Sequence, residues 1–221
     1  MKMTVNHLSE NNSLLNQFLK EIRSVDIQHD SMRFRRNIER IGEVMAYEIS
    51  KSLAYETEQV KTPLGFAPTN VTSEKLVVAS ILRAGLPFHT GMLNYLDKAE
   101  NAFVSAYREY VDDTHEKFDV HVEYIASPNI EGKTLLLCDP MLATGGSMEL
   151  SYEALKSKGI PAHIHIACVI ASQRAIDHII KIFPAEKTTI WVAAIDPILN
   201  EHSYIVPGLG DAGDLAFGQK L

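Results

Sequence analysis

LLLCDPMLATGGS, Leu135–Ser147, opens on an apolar run, turns through Asp139-Pro140 and closes on Thr144-Gly145-Gly146-Ser147. The apolar run reads as a buried strand and the residues from about Gly146 to Lys158 as a helix. Between a strand end and a helix start, glycines let backbone N–H groups approach an anion closely. Hydroxyls add donors, and the helix N-terminus favours negative charge. A phosphate monoester fits Thr144–Ser147, and Asp139 at the strand end can accept hydrogen bonds from the vicinal hydroxyls of a sugar. TGGS taken alone also reads as a plain strand–helix turn. The ATP P-loop in its standard form is excluded, because no Gly-Lys-Ser/Thr follows.

On both sides of this segment, short apolar runs alternate with helical patterns. Leu76–Leu82, Ala102–Tyr107, Thr134–Asp139, Ile164–Ile170 and Thr188–Ile195 read as strands. Pro87–Leu96 and Ala175–Phe183 read as helices, and from Asp30 to about Glu56 apolar residues step by three or four, as in one amphipathic helix. Lys61–Thr69 breaks the pattern with two prolines and a glycine. Val111–Tyr124 alternates charged residues with Val and Phe, which predicts a twisted hairpin standing off the main sheet. The fold class is α/β, a parallel β-sheet flanked by helices. A chain of 221 residues with this pattern is expected to form one domain, 1–221.

The formal charge is −7, from 21 basic and 28 acidic residues, which argues against a nucleic-acid or membrane-surface binder. Cys138 and Cys168 lie inside apolar runs and read as buried free thiols. The N-terminus is polar, without the apolar core of a signal peptide, and no run approaches the roughly 20 apolar residues of a membrane span. A cytoplasmic location is expected. His163 and His165 share a strand face but have no evident third ligand, so no metal site is read there. Glu201-His202 looks like an acid/base pair, although adjacent residues need not point the same way.

Three further motifs complete the pattern. Ser80–Leu86 reads SILRAGL, where an arginine after a strand can hold a pyrophosphate with side chain and backbone together. Tyr107-Arg108-Glu109 opens the charged hairpin. Ile195–Gly218, IDPILNEHSYIVPGLGDAGDLAFG, contains GxGxxG at Gly208–Gly213, but only eight residues remain, too few for a dinucleotide-binding βαβ unit.

DPMLATGGS resembles the phosphoribosyl-pyrophosphate (PRPP) loop of type I phosphoribosyltransferases. Pro140 and Ala143 replace residues that are often acidic in the general pattern, and this form is that of the uracil phosphoribosyltransferase family. ILRAGL, the Tyr-Arg-Glu start of a mobile flap and NEHxYIxPGLGDAGDxxFG resemble the same family, in the same order, over about Met32 to Gly218. Ser80 stands where the family often has Pro, and Leu215 where it commonly has Lys or Arg.

The resemblance implies a type I phosphoribosyltransferase fold with a protruding β-hairpin flap, about 107–125, and a C-terminal base-binding hood, about 196–218. It implies transfer of phosphoribosyl from PRPP to uracil. Arg83, Arg108, Asp139, Pro140, Met141, Leu142, Ala143, Thr144, Gly145, Gly146, Ser147 and Asp211 would meet PRPP, and Ile205, Gly210, Asp211 and Ala212 the base. Arg108 and Asp211 are the catalytic candidates, Asp211 for the N1 proton of uracil. Mg²⁺ would be carried mainly through pyrophosphate and water. Family members form homo-oligomers, and some are activated by GTP. Two rivals are a phosphoribosyltransferase for a purine or orotate, which the C-terminal string opposes, and a catalytically weak PRPP- or nucleotide-sensing regulator on the same fold, with or without RNA binding. Against RNA binding stand the net charge and the lack of a basic cluster, and uracil-dependent release of pyrophosphate would exclude a pure sensor.

Overall fold

The computed structural model describes residues 2–110 and 118–219, with the side chains of 106–122 outside that description. In chain order the elements are β1 (Thr4–His7), α1 (Leu14–Arg23), α2 (Ser31–Ser50), β2 (Tyr55–Thr62), β3 (Gly65–Thr72) and β4 (Leu76–Ile81). Then come α3 (Gly85–Leu93), β5 (Glu100–Tyr110), β6 (Phe118–Ala126), β7 (Thr134–Cys138), β8 (Met141–Leu142) and α4 (Gly146–Leu155). The chain finishes with β9 (His163–Ser172), α5 (Gln173–Ile182), β10 (Thr188–Asp196), β11 (Ile198–Leu199), β12 (Ile205–Val206) and α6 (Ala212–Phe217).

The main sheet runs in the order β1-β10-β9-β7-β4-β5-β6, with β8 beside β9. Every pair is parallel except β5 with β6. Both faces are covered, which is why the central strands read as continuous apolar runs. Val78, Leu136, Cys138 and Ala167 face α1, α2 and α3. Val77, Ala79, Leu135, Leu137, Ile166 and Cys168 face α4 and α5. The two cysteines are free and buried on opposite faces, and burial pushes both thiols above their usual range.

The order reverses between β4 and β7. From β4 the chain passes through α3 to β5 on one side; from β7 it passes through α4 to β9 on the other. Ser80 pairs with Cys138, so the two strands end side by side and their loops leave the sheet together. In open α/β sheets such a crevice is the ligand position.

The structure revises several sequence expectations. The long helix stops at Ser50, not near Glu56, and is capped by the Asp30 carboxylate, which accepts from Arg33 N at 3.0 Å. The break at 61–69 takes in the end of β2, the turn and the first part of β3 in a hairpin paired from Tyr55↔Thr72 to Thr62↔Gly65. Its two strands are exposed almost throughout, so neither shows the burial alternation by which strands are read. The charged hairpin does not begin as a separate unit: β5 and β6 already pair at Phe103↔Ala126 as the sheet edge and continue to Tyr110↔Phe118, with a register shift at Ser105/Ala106. Residues 111–117, within the expected hairpin, lie outside the described residues. The polar N-terminus contributes β1, which pairs with β10.

α1 and α2 are joined by a buried polar network. Glu21 accepts from Arg33 Nη2 at 2.8 Å and Asn37 Nδ2 at 2.7 Å, and these bonds hold its carboxyl down at about 2. α2 and α3 cross with their backbones in contact. A Cβ on Gly91 would lie 2.0 Å from Glu39 O, and one on Gly42 2.5 Å from Phe88 O. Gly91→Ala is therefore expected to cost about 1–3 kcal/mol by overpacking. Gly65→Ala, with nothing within 4 Å of its Cβ, should stay within about 0.5 kcal/mol of the parent. Urea unfolding of the two variants checks this, and equal midpoints would refute the crossing as a packing constraint.

Candidate active site

The loop after β4 lies flat on the strand end. Its Leu82–Arg83 peptide is cis, and Leu82 N donates to Val104 O. A Cβ on Gly85 would meet Ser80 Oγ at 2.5 Å and Cys138 O at 3.2 Å, so only glycine lets α3 start this close to the sheet. Ser80 Oγ itself is buried with no hydrogen-bond partner among the described residues; the serine supports the loop by its size. Arg83 reaches the C-terminal segment, donating from Nη2 to Gly218 O at 3.1 Å and to Asp214 Oδ1 at 3.4 Å. Its Nε is buried and has no partner among the described residues.

After β7 the chain turns at Asp139, whose N–H donates to Ala167 O and whose Oδ1 accepts from Met141 N at 3.1 Å. Desolvation pushes this carboxyl up to about 7, and the single backbone bond opposes the shift only in part. Gly145, at φ +89°, turns the chain into α4, and Gly146 N donates to Thr144 Oγ1 at 3.3 Å. Ser172 Oγ ties down Ala143 O at 2.6 Å.

The C-terminal stretch folds over these loops. Asn200 Oδ1 accepts from His202 N and Tyr204 N and closes the 200–204 loop. β11 and β12 form a short hairpin, Leu199 opposite Ile205. Asp211 caps α6, its Oδ1 accepting from Asp214 N at 2.9 Å. Arg35 Nη1 donates to Ala216 O at 2.6 Å, anchoring α6 on α2, and Leu215 packs against the apolar core, a place where an alkyl side chain serves without a charge.

These three segments enclose a cleft of about 360 Å³. Of the residues singled out in the sequence, Arg83, Asp139, Met141, Ala143, Ser147, Ile205, Gly210, Asp211 and Ala212 line it together. Others are placed differently. Pro140 is buried and its carbonyl accepts from Val169 N and Ile170 N; Leu142 is buried in β8 beside β9. Leu142 belongs to the apolar core, and neither residue lines the cleft. Thr144, Gly145 and Gly146 form the turn at the N-terminus of α4, next to the lining. Arg108 lies in β5 with its backbone opposite Val120, and its side chain falls outside the described residues.

His202, Ser203 and Tyr204 also line the cleft and were not singled out for it. Glu201 and His202 do approach, 3.4 Å between Oε1 and Nε2, but both are exposed, where such pairs contribute little. The rings of His163 and His165 meet at 4.6 Å, tilted by 55°, at the other end of the sheet. Trp191 Nε1 donates to His165 Nδ1 at 3.0 Å, and burial holds this imidazole down at about 3. Among the described residues no cluster of three His, Cys, Asp or Glu is arranged for a metal. Arg23, which carried no motif signal, and Asp196, at the start of the C-terminal stretch, meet beneath the turn at Gly208.

The chain matches the family model described as Uracil phosphoribosyltransferase over residues 9–219. A protein of Porphyromonas gingivalis named uracil phosphoribosyltransferase is 63% identical over 219 residues, covering 99% of this chain and 100% of that one. Among solved structures, the AQ2163 protein of Aquifex aeolicus superposes with a TM-score of 0.83 at 28% identity, over 97% of this chain and 98% of its own. A hypoxanthine phosphoribosyltransferase of Staphylococcus aureus gives a TM-score of 0.50 at 16% identity, over 85% and 83% of the two chains, a likeness of fold alone.

The raised carboxyl of Asp139 makes stability depend on pH. Between its ordinary value of 3.8 and about 7 the folded chain holds a proton that the unfolded chain has released. The stabilisation from that proton is complete below about pH 4 and is lost as pH rises through 7. Asp139→Asn removes the effect, so the variant should gain on the parent across this window, by on the order of a few kcal/mol at pH 8 relative to pH 4. Urea unfolding of both proteins at half-unit steps checks it; a difference that stays flat with pH would refute it.

Proposed function

The chain belongs to the uracil phosphoribosyltransferase family, and from that premise we propose that its cleft transfers the phosphoribosyl group of PRPP to uracil, giving UMP and pyrophosphate. The observation that carries the reading is the meeting, in one cleft, of Arg83 after β4, Asp139 and Ser147 around the β7–α4 loop, and Ile205 and Gly210–Ala212 of the C-terminal hood. A sugar phosphate, a pyrophosphate and a base each need one of these three walls.

In the reaction the bond from ribose C1 to the pyrophosphate oxygen breaks, a C1–N1 bond forms, and N1 of uracil loses its proton. C1 passes through an oxocarbenium-like state, so the work of the protein is positioning and electrostatics. The unpartnered Nε of Arg83 is a donor suited to a pyrophosphate oxygen, with Arg108 proposed to add charge on the same side. Thr144–Ser147 at the N-terminus of α4 would hold the 5′-phosphate. Ribose hydroxyls donating to Asp139 would favour its carboxylate form and draw its pKa down.

Backbone groups of Ile205 and Gly210–Ala212 suit the edge of uracil, two carbonyl acceptors and an N3–H donor. Cytosine reverses the pattern at positions 3 and 4, leaving buried groups unpaired at about 1–3 kcal/mol each. Asp211 is the proposed N1 proton acceptor. One of its oxygens is committed to the α6 cap, and Oδ2 has no hydrogen bond among the described residues.

The donor set suits Mg²⁺ that arrives with its phosphate ligands. Asp139 and Asp211 put carboxylates into the cleft wall, while no cage of three ligating side chains surrounds them among the described residues. When bound, the ion would neutralise charge on the departing pyrophosphate.

The same reading includes a single domain over 1–221 with a flap at about 107–125, and a homo-oligomer. The exposed β2–β3 arm, with Leu64 fully exposed and Phe66 at 70%, supports the oligomer by offering an apolar surface. Activation by GTP rests on the resemblance alone. A cytoplasmic location is also part of the proposal; among the described residues no helix is long and apolar enough to cross a membrane.

Purified protein given uracil, PRPP and Mg²⁺ is expected to form UMP and to release pyrophosphate only when uracil is present. Arg83→Ala should lower kcat/KM by about 10²–10³-fold. Cytosine, hypoxanthine and orotate supplied in place of uracil should give little product. Equal turnover of any of them, or no uracil-dependent pyrophosphate, would overturn the assignment.

A further inference from the structure

The turn that closes the base side of the cleft is held from beneath by an ion pair that belongs to neither substrate loop. Asp196 ends β10 and is 5% exposed. Arg23, the last residue of α1, meets it in two parallel bonds, Nη2 to Oδ1 at 2.8 Å and Nη1 to Oδ2 at 2.8 Å. The pair then grips one residue of the turn from both sides: Gly208 N donates to Asp196 Oδ2 at 2.9 Å, and Gly208 O accepts from Arg23 Nη1 at 3.0 Å.

Both backbone polar groups of Gly208 are thus engaged by the scaffold. Gly208 sits at φ +56°, and a Cβ there would lie 2.0 Å from Ile205 O, so its backbone rests directly on the carbonyl of a residue in the cleft wall. Two residues further on, Gly210 at φ +91° begins the other part of that wall. A segment with two glycines in the left-handed region has many alternative conformations, and restricting them requires something outside the segment.

We infer that Arg23 and Asp196 are positioning residues for base recognition, a clamp that fixes Gly208 and through it the orientation of Ile205 and Gly210–Ala212. The inference rests on the reading of this wall as the uracil subsite. The clamp acts through backbone geometry and touches no substrate. Its effect should fall mainly on the base, because apart from Asp211 the proposed PRPP contacts leave from β4, β5 and β7. Backbone groups read a base edge only if they are held within a fraction of an ångström, so loosening the clamp should weaken uracil binding and blur the choice between uracil and cytosine.

The test is steady-state kinetics on full-length protein with each substrate varied in turn, for the parent, Asp196→Asn, Arg23→Lys and Leu19→Ala. Asp196→Asn and Arg23→Lys should raise KM for uracil about tenfold, the effect of one lost charge-assisted hydrogen bond, with KM for PRPP within about twofold of the parent. The uracil-to-cytosine ratio of kcat/KM should fall in both. Leu19→Ala opens a cavity under the same helix, so it should lower Tm without moving KM for uracil.

Arg23 is partly exposed, so Arg23→Lys carries the test if Asp196→Asn fails to fold. Equal shifts in both KM values, no shift in either, or a Leu19→Ala variant that reproduces the uracil defect would overturn the clamp. A parent protein that makes no UMP would instead overturn the reading of the cleft on which the clamp rests.

Discussion

The parallel ladder that sets Ser80 opposite Cys138 is the constraint on which the cleft depends. It ends β4 and β7 at the same level, at the place where the chain order reverses, so one loop turns toward α3 and the other toward α4. No side chain in the cleft makes this choice. It follows from burying apolar strands on both faces and from joining parallel strands through helices. The glycine requirement at Gly85 is a consequence, because a helix that begins this close to the sheet leaves no room for a Cβ.

Two sets of polar groups contrast. Those that hold elements together are satisfied: Glu21 accepts from Arg33 and Asn37 and is held at about 2, and Asp196 is gripped by Arg23 and Gly208 N. Two that face the cleft are only partly satisfied. Asp139 has one backbone donor and is pushed up to about 7, and the Nε of Arg83 has no partner among the described residues. A group kept short of partners costs stability, and folded chains tolerate few of them. In the cleft, a ligand that brings the missing donors and acceptors would satisfy both groups.

The sheet was legible in the sequence because its strands bury both faces and so stand out as apolar runs. Arg83, Asp139, Ser147 and Asp211 were legible because each follows a strand end or opens a helix with a recognisable turn around it. What stayed hidden had no such mark. β2 and β3 are exposed along nearly their whole length, β1 is polar, and each depends on a partner that local pattern does not reveal. Pro140 and Leu142 belong to the loop motif, yet the backbone of each is tied to β9, distant in sequence. Arg23 lies 173 residues from Asp196, and nothing around it signals a partner. Asp196 shares with Asp139 the position just where a strand closes, and that shared position was the one available hint.

The two thiols give the fold a pair of internal reporters. Cys138 lies on the face covered by α1, α2 and α3, and Cys168 on the face covered by α4 and α5. Burial keeps both protonated far above neutral pH, and the thiolate is the reactive form. Neither sulfur can be alkylated or oxidised until the helices over its own face lift away. Each cysteine therefore clocks the opening of one layer, and the rates at which the two are labelled separate the loosening of one side of the sheet from that of the other.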